Sequence, residues 1–136
     1  MYSKHKWLTF YRKLGFLLYS VAAVDKQVSP AEIDTLKREI QKNWLDFEDT
    51  ADAFGSDAAF QIASVFDWLN NESYAAADAF REFEDFVREN PDFINQPAIK
   101  DRILFSANRI AFAFYGNNKK ELTLLHQLER LLSGTV

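Results

Sequence analysis

Hydrophobic residues recur at helical spacing through almost all of the chain. Residues 4–24 place Trp7, Tyr11 and Leu14 on one face, and this period predicts a first helix. A polar connection follows, and the stretch 29–32 then supplies a serine N-cap, a proline at the first helical position and a capping-box glutamate. The sequence therefore predicts a helical hairpin over the first third of the chain.

Two further helices are predicted in the middle of the chain. Gly55 and Ser56 interrupt the hydrophobic pattern before a third helix, which the polar residues Asn70, Asn71 and Ser73 end. A fourth helix covers 74–90 and stops at a proline, and a loop covers 91–96.

The last two predicted helices form a second hairpin. The fifth, 97–115, is apolar almost all round, and the sixth begins at Asn118 with Glu121 three residues later and ends at Gly134. The fold prediction is all-α: one domain over 1–136, a bundle of about six helices without a sheet, with the first and fifth helices most buried. Both terminal hairpins join a long apolar helix to a capped amphipathic one, which indicates an imperfect duplication.

Composition narrows the class of protein. The 136 residues include no cysteine, which excludes disulfides, thiolate zinc sites and cysteine nucleophiles and fits a reducing cytoplasm. Basic residues before the apolar run 14–24 resemble a secretory signal, but that run contains Gly15, Tyr19 and Ser20 and is too short to span a bilayer. We therefore expect a cytoplasmic protein that does not enter a membrane.

Charge is distributed unevenly along the chain. Residues 45–96 carry two Lys/Arg against thirteen Asp/Glu, and this acidic block argues against binding of nucleic acid. Four of its carboxylates lie at spacings of four, three and four on one side of the fourth helix and are named the acidic stripe: Asp78, Glu82, Asp85 and Glu89. The stripe is either a solvated face or a docking surface for a basic partner protein or a second copy.

A family resemblance is visible at both ends of the chain. The stretch 17–40, LLYSVAAVDKQVSPAEIDTLKREI, is similar to the first hairpin of the TerB-like family, named for tellurite-resistance proteins and related to the N-terminal region of a DnaJ-type co-chaperone. Its matching positions, and those of the second hairpin in 110–125, are Ala22, Ala23, Asp25, Val28, Ser29, Glu32, Ala111, Gly116 and Glu121. Lys26 stands where the family has glycine, and Phe114 and Tyr115 stand where it has aspartate. The resemblance implies a TerB-like helical fold and a module that acts in stress response by protein or ion binding.

The resemblance also implies an ion site. Asp25, Glu32 and Glu121 would be its oxygen donors, since hard cations such as calcium and magnesium prefer carboxylate and carbonyl oxygens. The structural alternative is that Glu32 completes a capping box while Asp25 stabilises helix ends. We favour the structural role, because two carboxylates rarely suffice for a cation, and no other cofactor is predicted.

The titratable residues show no catalytic motif. His5 and His126 are the two histidines, no nucleophile signature of the GxSxG kind accompanies them, and a partly buried structural role is expected for His126. The sequence therefore predicts a non-enzymatic binding module, with a small carboxylate-using hydrolase or other enzyme as the alternative. A concave site that gathers several polar side chains would favour the enzyme, and a flat charged face would favour the module.

Overall fold

The computed structural model describes residues 4–23, 33–38, 51–115 and 119–133, with the backbone alone for residues 4, 51–60, 113–115 and 119–122. These ranges contain helices and turns and no strand, which confirms the all-α prediction. The helices are α1 (Lys4–Ala23), α2 (of which 33–38 are described), α3 (Ala51–Asn71), α4 (Ala76–Glu89), α5 (Pro91–Ile94), α6 (Pro97–Tyr115) and α7 (Lys119–Ser133).

The first helix, α1, is the centre of the bundle. It packs against α3, α4, α6 and α7, so it needs apolar side chains in several directions. Those that are fully buried are Phe10, Tyr11, Leu14, Leu17, Leu18, Val21 and Ala22. The prediction that the first helix is among the most buried is confirmed.

Gly15 allows α1 and α3 to approach closely. A Cβ atom added there would lie 3.0 Å from the Cβ of Val65 and 3.1 Å from the carbonyl oxygen of Ile62. A clash with a backbone oxygen cannot be relieved by rotating a side chain, so α3 would have to move. Packing therefore explains a glycine in mid-helix, where it costs about 1 kcal/mol relative to alanine.

The turn between α3 and α4 is a Schellman motif. The Ser73 N–H donates to the Asn70 carbonyl at 3.2 Å, and the Tyr74 N–H donates to the Leu69 carbonyl at 3.0 Å. Ser73 has a φ of 51°, the left-handed conformation that this position requires and that glycine usually supplies. The motif ends α3 and directs the chain into α4.

Two interruptions predicted from the sequence are wrong. The backbone of α3 is helical through Gly55 and Ser56, because an isolated glycine within a helix costs only about 1 kcal/mol. The predicted loop 91–96 contains α5, with proline at its first position, where the absent N–H is not needed. Burial of Phe93 and Ile94 ties this short helix to the core.

The prediction that the 97–115 helix is among the most buried is confirmed for the described side chains, since α6 has more buried residues than α3, α4 or α7, but its burial is confined to one side. One side of α6 is buried through Ile99, Ile103 and Ile110, whereas Phe105 and Phe112 on the other side are 53% and 74% exposed. Its apolar character all round indicated burial on every side, but the bundle covers only one side of α6.

The second predicted hairpin corresponds to α6 and α7, which pack against each other. The turn of the first hairpin lies outside the described residues, so the duplication stays a prediction. No helix in the described part of the chain is both long and apolar enough to cross a membrane.

Candidate binding surfaces on α4

Helix α4 has three distinct sides. One side enters the core through Ala79, Phe80, Phe83, Phe86 and Val87. The acidic stripe forms the second side, and the third, at helical spacings of three and four, carries Arg81, Glu84 and Arg88. The second side lies next to α1 and the third faces α7.

The acidic stripe lies on the side that its spacing predicts. Asp78, Asp85 and Glu89 are exposed, while Glu82 is half-buried against α1. The Oε1 atom of Glu82 lies 2.8 Å from Nζ of Lys13, and these side chains are 42% and 27% exposed. The chain's own first helix therefore supplies one of the cations that a basic partner was predicted to bring to the acidic stripe.

Three polar contacts run along the whole α1 side of α4. The Tyr19 hydroxyl donates to the Tyr74 carbonyl at 2.7 Å just before α4 begins. Lys13 pairs with Glu82 at its middle, and Lys6 donates to the side-chain oxygen of Asn90 at its end. From the start of α4 to its end, the contacting residue of α1 changes from Tyr19 to Lys13 to Lys6. The residue numbers fall in α1 as they rise in α4, so the two helices are antiparallel.

Aromatic rings anchor the C-terminal end of α4 on α1. The ring of Phe93 in α5 lies 4.9 Å from Trp7 and 5.2 Å from Phe10, measured between centroids. Phe86 of α4 lies 6.2 Å from both Phe10 and Phe93. Edge-on and tilted arrangements of this kind are favourable beyond the area they bury. They hold α4 at a defined position relative to α1.

A cleft of about 330 Å³ lies between α1 and α4 beside the acidic stripe. Its lining combines two lysines and a histidine from α1 with three carboxylates from α4: Lys6, Lys13, His5, Glu82, Asp85 and Glu89. Charges of opposite sign face each other here, so the two lysines neutralise most of the charge of the three carboxylates. Where side chains are described, no group of three or more His, Asp or Glu is arranged to hold a metal ion.

A larger groove, of about 790 Å³, lies between α4 and α7. Its apolar lining consists of Ala76, Ala77, Phe80, Leu124 and Leu131. Its polar lining consists of Arg81, Glu84, Arg88, Thr123, Gln127 and Arg130. We name this site the α4–α7 groove: an open, apolar surface bordered by three guanidinium groups.

The arginines of the groove are available to a ligand. Arg81 pairs with Asp78 at 3.1 Å and Arg88 with Glu84 at 3.0 Å, and both guanidinium-bearing side chains are about two thirds exposed. Exposed pairs within one helix contribute only about 0.3–0.5 kcal/mol, so a ligand can replace them at little cost. This site was not predicted from the sequence, although Arg81 and Arg88 are seven residues apart and so share a side of the helix.

The three residues of the predicted ion site are not described with their side chains. Asp25 and Glu32 lie outside the described residues, and Glu121 belongs to the part of α7 described by its backbone alone, so the ion site stays a prediction.

His126 is 71% exposed, with Nδ1 4.0 Å from Oε1 of Glu129, so the prediction that its side chain is partly buried is wrong. His126 follows buried Leu125, but a single step along a helix turns the side chain by about 100°.

Comparisons of the chain with protein-family profiles, curated proteins and solved structures find no match. The TerB-like resemblance rests on the residues of the two hairpins and stays a prediction.

Proposed function

We propose that this chain is a non-enzymatic, TerB-like binding module of the cytoplasm, acting in stress response as the resemblance implies, with the α4–α7 groove as its ligand site. The groove itself carries the proposal. Its volume of about 790 Å³ lies within the range of about 300–1,000 Å³ typical of ligand sites.

The lining of the groove defines the ligand's chemistry. Phe80, Leu124 and Leu131 provide an apolar surface for aliphatic or aromatic groups. Guanidinium groups stack on aromatic faces and form paired hydrogen bonds with carboxylates, so the rim favours aromatic or anionic groups beside the apolar ones. An amphipathic helix of a protein partner meets both requirements.

The same lining supports binding in preference to catalysis. The groove is concave and gathers polar side chains, which is the feature expected of an enzyme. Its described lining, however, has one carboxylate, Glu84, which Arg88 engages at 3.0 Å, and contains no histidine. Arginine, threonine and glutamine side chains recognise charges and hydrogen-bonding groups, whereas general acid–base catalysis needs a group that exchanges protons near neutral pH. The enzyme alternative therefore has less support.

Site-specific photo-crosslinking in the source cell tests the proposal. A photoreactive residue at Gln127 in the groove should form a crosslinked protein adduct, while the same residue at exposed Ser64 on α3 should not. Ala77→Trp, which fills the groove from an exposed position, should abolish the adduct. Asp85→Lys in the acidic stripe should leave it unchanged. Equal yields from Gln127 and Ser64, or an adduct insensitive to Ala77→Trp, would reject the groove as the binding site.

A further inference from the structure

The few basic residues in the acidic middle of the chain lie at the α4–α7 groove. Residues 45–96 contain thirteen Asp/Glu and two Lys/Arg, and these two are Arg81 and Arg88 on the α4 wall of the groove. Arg130 borders the groove from α7 and is also exposed. The described lining sets one carboxylate, Glu84, against these three guanidinium groups. The groove is therefore positively charged, on a chain whose net charge is -4.

The salt bridges within α4 leave this charge accessible. The contact of Arg81 with Asp78 joins one guanidinium nitrogen to one carboxylate oxygen at 3.1 Å, and the contact of Arg88 with Glu84 does the same at 3.0 Å. A guanidinium group has five N–H donors, so each arginine retains donors for a second anion. Both arginine side chains are about two thirds exposed, so a ligand can approach them.

The positions of the arginines favour a ligand with several carboxylates. Arg81 and Arg88 are seven residues apart, which is about 10.5 Å along the helix axis, and Arg130 lies on the opposite wall. One carboxylate pairs with one guanidinium group in the bidentate geometry. Three guanidinium groups on two walls therefore match anions at separate points on both sides of an apolar strip.

An α-helix can present groups in this arrangement. The α4 wall runs from Ala76 to Arg88, about 18 Å along the helix, and the α7 wall runs from Thr123 to Leu131, about 12 Å. Two or three turns of a helix have the same length. Carboxylates seven residues apart on such a helix are separated by the same 10.5 Å or so as Arg81 and Arg88.

We propose, as an extension of the proposed function of the groove on which this inference rests, that its occupant is an acidic amphipathic helix of a partner protein. The apolar stripe of this helix packs on Phe80, Leu124 and Leu131. Carboxylates on one flank pair with Arg81 and Arg88. The opposite flank brings a carboxylate to the α7 wall. These contacts decide the preference, because charges farther than about 8–10 Å are screened at physiological ionic strength.

Two synthetic peptides test the proposal on the full chain. Both are amphipathic helices with the same leucine stripe, and they differ only in the flanking residues, which are glutamate in one peptide and lysine in the other. Fluorescence anisotropy measures each Kd. The acidic peptide should bind about tenfold or more tightly than the basic one, and its Kd should rise with salt. Equal affinities, a preference for the basic peptide, or binding of neither peptide overturns the proposal.

Charge-removing variants locate the contact. Arg81→Gln/Arg88→Gln should raise the Kd of the acidic peptide about tenfold or more, because it removes two guanidinium groups from the groove. Arg12→Gln/Arg38→Gln, at exposed positions on α1 and α2, lowers the net charge equally and should leave the Kd nearly unchanged. Thermal unfolding of both double variants checks that they are folded. Equal weakening by the two would show attraction by net charge alone and overturn the proposal.

The outcomes separate this inference from the proposed function. Laurate, with one carboxylate on an alkyl chain, represents small anionic amphiphiles, and a groove that binds laurate but not the acidic peptide overturns the helix as occupant. The crosslinked segment of the Gln127 adduct should contain acidic residues two helical turns apart. An adduct on a segment without them overturns this inference and keeps the groove as a binding site. Equal yields from Gln127 and Ser64 reject the proposed function itself.

Discussion

The two sides of α4 differ in how the rest of the molecule meets them. The α1 side is joined along its whole length, by Tyr19 at the start, Lys13 in the middle and Lys6 at the end. The α7 side leaves an open groove of about 790 Å³ between the two helices. One helix of fourteen residues therefore has a structural side and an open side.

This difference shows that charge on a helix surface does not by itself identify a binding site. The acidic stripe is the most conspicuous charged feature of the sequence, yet its central carboxylate, Glu82, pairs with Lys13. The arginines are fewer, but they border an apolar groove. Charge next to unfilled apolar surface is the better indicator of a ligand site, because burial of that surface supplies the favourable free energy of binding.

The largest expected effect comes from truncating two phenylalanines of the core-facing side of α4, one of which is fully buried while the other also borders the groove. Phe83 is fully buried, so Phe83→Ala should lower the free energy of unfolding by about 3–5 kcal/mol through lost burial and an enclosed cavity. Phe80 borders the groove, where water can enter the vacated space, so Phe80→Ala should cost about 1.5–3 kcal/mol. Urea denaturation of both variants measures the difference. Equal losses would show that the groove is closed in solution.

A smaller effect is expected at the start of α4. Tyr19→Phe removes the hydroxyl that donates to the Tyr74 carbonyl and should cost about 0.5–1.5 kcal/mol near neutral pH. Burial raises the pKa of Tyr19, because the phenolate is poorly solvated there. As pH rises past about 10, tyrosine ionises in the unfolded chain while Tyr19 stays protonated in the folded one. Stability of the wild type should therefore fall with rising pH in that window.

Denaturation of the wild type and Tyr19→Phe in parallel isolates this contribution. The variant lacks the titrating group, so its loss of stability above pH 10 or so should be smaller and the two curves should converge. Parallel curves over the same window would mean that Tyr19 ionises equally well in the folded and unfolded chains.

The smallest effect distinguishes two members of the acidic stripe. Glu82→Gln breaks the pair with Lys13 and should cost no more than about 1 kcal/mol, since both side chains are partly exposed. Asp85→Asn, on the same helix without a salt bridge in the described part of the chain, should change stability by less than about 0.5 kcal/mol. A double-mutant cycle with Lys13→Met measures the pair directly. A coupling energy of zero would show that Lys13 and Glu82 do not interact in solution.

Several properties were determined by the sequence itself. Apolar residues at helical spacing predicted the all-α fold, and the register of the acidic stripe predicted which carboxylates share a side of α4. Proline and capping residues predicted most helix ends, although Gly55 and Ser56 did not interrupt α3 and Pro91 begins a short helix. Local backbone chemistry accounts for these properties, and it can be read along the chain.

The tertiary structure decided which neighbour meets each side of a helix. Hydrophobic period alone could not show that the outer side of α6 is exposed at Phe105 and Phe112, or that Lys13 reaches Glu82 across 69 residues of sequence. Nor could it show that a groove bordered by arginines lies between α4 and α7. The spacing of residues defines the faces of a helix, whereas the packing of all helices around α1 determines which faces are covered and which remain open.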